Sequence, residues 1–525
     1  MSDIDRWVKI LQNIVGPENV SADIEDLAAH HPDMSVFSEP PKYPQIIVRP
    51  TGPLASLQIQ EILQFANREH IPVIPQAHLM LIGAVNAGYA KGTCLILDCR
   101  QMKGITVNDD ELYMIVEPGV TYGEAARYLA SKHPDVVLPS VPPSVPTATV
   151  AVNYLEGGDG CGPGYASRFG SAFQTNEAFI MGMELVLPNG DIVRTGSWSR
   201  NDSASKFTFR KGHTIPLHEL FVGAHGAFGV LTKMAIMLCP KPYDVIGRMY
   251  AVNKVEEGAE LIHKITRKGV MSMGSLCSWI FAPMQRADLA PYPWEVTGGK
   301  TCLPDDYMKK WRDEIFPGCF PGAKSGLEGF YIITYQPVFD EFEKEAVEKT
   351  VEKAEKDWNL RRIDTDKMFI PAIEYFLKEG MARGFPGNTR ARYLGWRGGG
   401  NMWPMLGQCG YKDYPKIHNA VVPIARKFGF EVAMHTFYHY GRTGHCRFIM
   451  PFNRMDPDEC MRVAGATLEI INTCYELGLT NNRAFAIFTD LEWQRSVPGY
   501  VNLIKSIKRI VDPNGILNPA SGING

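Results

Sequence analysis

The chain has 525 residues, of which 45% are hydrophobic and 21% charged, and its formal net charge at pH 7 is -3. This is the balance of a globular protein with more than one sizeable core, and it offers no strongly basic surface for nucleic acid or an anionic membrane. No apolar run approaches the roughly 20 residues of a membrane helix. Met1–Trp7 lacks a basic region followed by an apolar stretch, so the expected location is cytoplasmic. The 11 cysteines are scattered without a Cys-x-x-Cys pair, which argues for reduced thiols and against iron–sulfur or structural zinc.

Apolar residues at Ile59, Ile62, Leu63 and Ala66 predict a helix over Leu57–His70, followed by a short buried strand over Ile71–Pro75. After a loop comes the strand Cys94–Asp98, then a further strand. Glu117-Pro118-Gly119-Val120 then turns into a helix through Ala125 and Leu129. From Leu138 to Arg168 the chain is rich in Pro, Ser, Thr and Gly, either a functional segment whose small residues admit a ligand or a plain surface loop. Met181–Val186 and Ile192–Arg194 flank Pro188-Asn189-Gly190-Asp191 as a hairpin. Gly223, Gly226 and Gly229 lie three apart between apolar runs, which suits a helix-to-strand corner against something flat, or ordinary tight packing.

Pro240-Lys241-Pro242 marks a candidate domain boundary. Beyond it come a strand over Gly329–Gln336 and an amphipathic helix with Phe342, Ala346, Val347, Val351, Ala354 and Trp358 on its apolar side. Strands flank Gly441–Gly444, and a helix starts at Asp456-Pro457 and stops at Gly478. This alternation predicts a second α+β region from about 245 to 480. Arg483 is then a lone fixed cation leading into an apolar, strand-like stretch. It is either a surface arginine or a functional charge.

Several segments together resemble the flavoprotein superfamily of vanillyl-alcohol oxidase and the p-cresol methylhydroxylase flavoprotein subunit. In the N-terminal half these are Leu97-Asp98, Glu117–Val120, Thr147–Val150, Ser167-Arg168-Phe169-Gly170, Glu184–Asp191 and Gly226–Val230. In the C-terminal half they are Gly398–Trp403, Gly441–His445 and Asp512–Pro519. The resemblance implies an α+β fold with a two-part FAD-binding domain of the p-cresol methylhydroxylase type plus an α+β cap (substrate) domain. Its implied boundaries are 1–242 for the FAD-binding domain, 243–482 for the cap, and 483–525 for a segment returning to the FAD-binding domain.

It also implies that FAD is held by Pro75, Gln76, Ala77, His78, Leu79, Met80 and Gly83 in the phosphate loop and by Pro139, Thr147, Thr149, Val150, Ser167 and Gly170 in the small-residue segment. Gly226, Gly229 and Val230 at the corner and Asn518 in the tail complete the set. Arg483 falls where an arginine stands beside substrate and flavin, and His445 falls in an Arg-x-x-His turn. A dimer and an electron-acceptor protein are family expectations.

The departures shape the chemistry. Asn482 stands where phenol oxidases carry a tyrosine, and Leu79–Gly83 lacks the second one. Ser171 occupies the position of an acid near flavin N5, and Gly398–Asn401 holds neither His nor Tyr for covalent attachment. FAD is therefore expected to be non-covalent and the substrate not a para-alkylphenol. The phosphate loop is also poor in glycine.

If FAD binds, a cation such as Arg483 suits the N1–C2 edge of the flavin or an anionic substrate. His435, His439 and His445 lie on neighbouring strand segments, and alternation puts His435 and His439 on one face, away from Tyr438 and Tyr440. Each is either a base for a hydroxyl proton or a hydrogen-bonded core histidine. No carboxylate completes a metal set, so no metal is expected. Arg442 and Arg447 grip a carboxylate or are simply exposed.

The reading is an FAD-dependent oxidoreductase taking hydride from an alcohol or activated C–H of a hydrophobic, aromatic or alicyclic, small-molecule substrate. The alternatives are a glycolate/D-lactate-type 2-hydroxy-acid dehydrogenase and a cofactor-less flavin-fold binding subunit.

Overall fold

The computed structural model describes residues 3–30, 44–78, 94–139, 147–156, 176–202, 206–207, 215–271, 273–285, 292–364, 399–402, 405–439, 443–453, 455–480 and 487–524. Its first sheet contains β1 (Val20–Ser21), β2 (Ile46–Val48), β3 (Val73–Gln76) and β4 (Leu95–Asp98). The order is β1-β2-β4-β3, with β2, β4 and β3 parallel. Every residue of β2 and β4 is buried, as expected of parallel strands covered on both faces. Ile46, Val48, Val73, Leu95 and Leu97 pack against Ile59, Ile62, Leu63 and Ala66 of the helix Ala55–Glu69. The alternate residues Ile47, Ile74 and Ile96 pack on Leu27 of the helix Ile24–Ala29.

The second sheet is antiparallel. Its strands are β5 (Ile105–Asn108), β6 (Tyr113–Val116), β8 (Ile180–Val186), β9 (Ile192–Arg194) and β10 (Val230–Met237), in the order β5-β6-β10-β8-β9. The short strands β7 (Val136–Val137) and β11 (Cys239–Pro240) pair beside it. Thr121 and Glu124 form a reciprocal capping box that starts the helix Tyr122–Lys132, which fixes where the Glu117–Val120 turn becomes helical.

The third sheet holds β12 (Asp244–Val252), β13 (Met273–Ser278), β14 (Phe330–Val338), β15 (Gly399–Met402), β16 (Met405–Cys409), β17 (Ala433–His439) and β18 (Thr443–Asn453). Its order is β12-β14-β13-β17-β18-β15, and β16 also pairs with β18. One face packs Leu276, Ile332, Met434, Cys446 and Phe448 against the helices Val255–Arg267, Asp413–Lys427 and Pro457–Glu476. The other face carries Ala251, Cys277, Tyr331, Ala433 and Ile449 against Trp279, Phe281, Met308 and Trp311. Among the described residues no helix is long and apolar enough to cross a membrane.

Three local expectations are corrected. Ile487–Arg495 is a helix, not a strand. Phe342 is 84% exposed rather than on the packed side of its helix, because it sits in the first turn of Glu341–Asp357, short of the burial at Val351 and Ala354. Val150–Leu155, inside the segment read as irregular, forms a short helix.

The tail returns to the first sheet. Val73 N–H donates to Ile516 O at 2.8 Å and Asn518 N–H donates to Val73 O at 2.9 Å, which covers the open edge of β3. Lys508 secures this contact from the helix Pro498–Val511. Its buried Nζ donates to Asp512 Oδ2 at 2.6 Å, Ala227 O at 2.7 Å and Leu517 O at 2.9 Å. Asp512 in turn accepts from the Ile516 and Leu517 N–H groups. Burial lowers the Lys508 pKa, and the Asp512 charge opposes that shift. Lys508→Met is expected to leave Asp512 buried and unpaired and to destabilise the fold by about 3–5 kcal/mol, measured by urea unfolding.

Candidate functional site

The carboxyl ends of the parallel strands gather an unusual density of charge. Asp98 closes β4 opposite Gln76 of β3 and is only 1% exposed. Its carboxylate accepts from Arg100 Nε at 2.8 Å and Nη2 at 2.6 Å, from Arg49 Nε at 3.2 Å, and faces His30 Nε2 at 3.1 Å. Arg49 Nη2 also reaches Asp26 at 2.6 and 2.7 Å. His30 Nδ1 lies 2.8 Å from Asp26 O, and Arg100 Nη2 approaches His30 Nε2. Burial alone would raise the Asp98 pKa, but the hydrogen bonds from His30 and Arg100 and the Arg100 charge outweigh it. The carboxyl is held well below the usual carboxylate range.

The predicted phosphate turn leaves β3 at this place. Gln76 is buried and donates to His30 O at 3.5 Å. Among the described residues His78 Nε2 is enclosed without a hydrogen-bond partner. Burial, then the charges of Lys103 and Arg100, push the His78 pKa down. The Glu117–Val120 turn lies alongside. A Cβ on Gly119 would stand 2.4 Å from Arg100 O, so only glycine permits this approach. Lys103 Nζ donates to Gly119 O at 2.6 Å and to the Glu124 carboxylate at 2.8 and 3.0 Å.

Other predicted cofactor residues converge on the same region. Tyr122 N–H donates to Ala148 O at 2.8 Å and Val150 N–H to Val120 O at 2.9 Å, which zips Thr147–Val150 onto the turn. Thr149, Val150 and Pro139 are buried and Thr147 is exposed. Gly226 has φ +74°, and a Cβ there would lie 2.7 Å from Pro75 Cγ, so corner and phosphate turn touch. Gly229 sits just before Val230, which opens β10 opposite Val186. Asn518 is fully buried in the left-handed region, its Nδ2 donating to His225 O while its Oδ1 finds no partner. His225, also left-handed, pairs through Nδ1 with Glu156. Leu79, Met80, Gly83, Ser167, Gly170 and Arg483 lie outside the described residues, as do Ser171, Asn482 and Arg442.

In the third sheet His435 is 5% and Arg447 7% exposed, and they are direct cross-strand partners. Arg447 is therefore not a surface arginine. The Phe281 ring stacks on His435 with centroids 4.3 Å apart. Tyr331 and Cys277 continue the same cross-strand row. The backbone register pairs Phe437 with His445 and His439 with Thr443; the side chains of His439 and His445 lie outside the description.

The sequence reasoning missed Arg49, His30 and Arg100. The available signal was a carboxylate closing the otherwise apolar strand Leu95-Ile96-Leu97-Asp98, with an arginine two residues on.

Comparison with known proteins identifies the region. Residues 44–196 match the family model described as FAD binding domain. The 4-cresol dehydrogenase [hydroxylating] flavoprotein subunit of Pseudomonas putida is 24% identical over 99% of this chain and 96% of its own. Along nearly its whole length the chain is similar to the FAD-linked oxidase superfamily of the p-cresol methylhydroxylase type. The crystal structure of p-cresol methylhydroxylase with substrate bound covers 99% of this chain and 97% of its own at TM-score 0.79, with 22% identity, so the α+β architecture is that of this superfamily. Glycolate oxidase subunit GlcD of Bacillus subtilis is 27% identical over 49% of each chain.

The protein is an FAD-dependent oxidoreductase, and FAD is its cofactor. The residues present fit FAD. Among the described residues His78 Nε2 and Asn518 Oδ1 are enclosed polar atoms without partners; His78 lies on the turn that leaves the carboxyl end of β3, where open sheets bind ligands, and Asn518 on the tail that pairs with Val73 of the same strand. When bound, FAD supplies the hydride acceptor.

The Asp98 shift has a pH consequence. A carboxyl whose folded pKa lies below its unfolded 3.8 contributes stability that is complete above that value and is lost as pH falls through the folded pKa. Between pH 6 and 3 the unfolding free energy of Asp98→Asn is expected to fall less steeply than that of the wild type, measured by denaturant titration at each pH.

Proposed function

We propose that this flavoprotein removes hydride from an alcohol or activated C–H of a hydrophobic substrate, aromatic or alicyclic, bound against the third sheet. In this reading residues 1–242 form the FAD-binding domain, 243–482 the cap, and 483–525 the returning segment. The observation that carries the substrate side is His435, buried in the sheet with an aromatic ring stacked on it. An imidazole there takes the hydroxyl proton as hydride leaves, and Phe281 supplies an apolar wall. Arg483 stabilises charge at the flavin edge or on the substrate, and His439 and His445 are further candidate bases. FAD is held without a covalent bond, electrons pass to oxygen or to an acceptor protein, and the protein is a cytoplasmic dimer.

Arg447 supports a second reading. A buried guanidinium beside a buried imidazole suits a 2-hydroxy acid, whose carboxylate it would grip in bidentate fashion.

The visible spectrum of the purified protein tests the cofactor claim. Yellow colour is expected to move to the supernatant on acid precipitation, and colour in the pellet would contradict non-covalent binding. Steady-state assays with aromatic alcohols against 2-hydroxy acids separate the two substrates. His435→Asn is expected to lower turnover by about 10²–10⁴-fold with flavin content unchanged.

A further inference from the structure

We propose that Arg100 binds the FAD diphosphate through the Nη1 side of its guanidinium, with Asp98 as the residue that sets its direction. The Nε–Nη2 edge is committed to Asp98 at 2.8 and 2.6 Å, and Nη2 also meets His30 Nε2. Nη1 takes part in none of these bonds, and 40% of the side chain remains exposed. Asp98 cannot swing, because it is buried, accepts from Arg49 and from Arg100 N–H, and faces His30. A planar, permanently charged fork fixed along one edge is pre-organised to present its other donors to an anion.

The placement suits a diphosphate. Arg100 lies just beyond β4, beside the strand that runs into the phosphate turn, and its carbonyl abuts Gly119. The predicted phosphate loop Pro75–Gly83 has a single glycine, Gly83, and a glycine-poor sequence disfavours the close backbone approach that lets successive N–H groups cradle phosphate. Charge from a side chain then replaces part of that cradle. Among the described residues Lys103 is engaged by Gly119 O and Glu124, whereas Arg100 keeps Nη1 outside its bonds to Asp98 and 40% of its side chain exposed. The inference rests on FAD lying at the carboxyl ends of β3 and β4.

The test titrates full-length apoprotein with FAD, FMN and riboflavin, following flavin fluorescence, for the wild type, Arg100→Gln and Arg100→Lys. Arg100→Gln is expected to weaken FAD by roughly ten- to a hundredfold, to reduce the salt dependence of binding, and to leave riboflavin affinity unchanged. Arg100→Lys keeps the charge without the fork and is expected to recover only part of the loss; it carries the same comparison if the glutamine variant does not fold. An equal loss for riboflavin would mean that Arg100 merely supports the fold, and unchanged FAD affinity would exclude the contact. Either result overturns the proposal while the cofactor assignment stands. A wild type that binds no flavin overturns both.

Discussion

The Lys508 ammonium ties the C-terminal tail to the glycine corner. It holds the carbonyl of Ala227 at the glycine corner, the carbonyl of Leu517 in the tail, and the Asp512 carboxylate that itself binds two tail amides. With the tail fixed, Val73 has its edge partners and Asn518 meets His225. With the corner fixed, Gly226 meets Pro75. Burying a charge is costly, and here its hydrogen bonds and paired carboxylate offset that cost. The predicted cofactor segments are thus positioned by a network that makes no claim on the chemistry itself.

The third sheet divides its labour by face. One is closed by three amphipathic helices over a largely apolar core. The opposite face has apolar cover around Trp279 and Trp311 but also carries His435 and Arg447 side by side. Strand alternation makes this separation automatic. Polar groups can be concentrated on one side without weakening the packing of the other.

Local signals made much of the fold legible. The spacing of Ile59, Ile62, Leu63 and Ala66, the Asn189-Gly190 turn, the Asp456-Pro457 start and the Gly478 stop each act within a few residues, and each appears in the structure. Phe342 misled because apolar spacing does not say how far along a helix its packing extends. The apolar run at Ile487 suggested a strand, but tertiary context overrides weak β propensity. At the candidate site, resemblance singled out the turn, corner and tail, and the structure brings Gly226 against Pro75 and Asn518 against His225. It could not reveal Arg100, whose direction depends on Asp98, Arg49 and His30 from separate segments. Nor could it reveal Lys508, whose partners Ala227 and Leu517 are brought to it only by the finished fold.

The tail's pairing with β3 also bears on how the chain is made. In the order β1-β2-β4-β3, β3 is an edge strand, and its partner Leu517 is synthesised long after it. During translation that edge stays open, and an open edge is a template for unwanted pairing with other chains. Contacts between such remote segments also form slowly. The cofactor region is therefore completed late, so nascent chains depend on the rest of the N-terminal fold, and on any chaperone present, to keep β3 from pairing elsewhere before its own tail arrives.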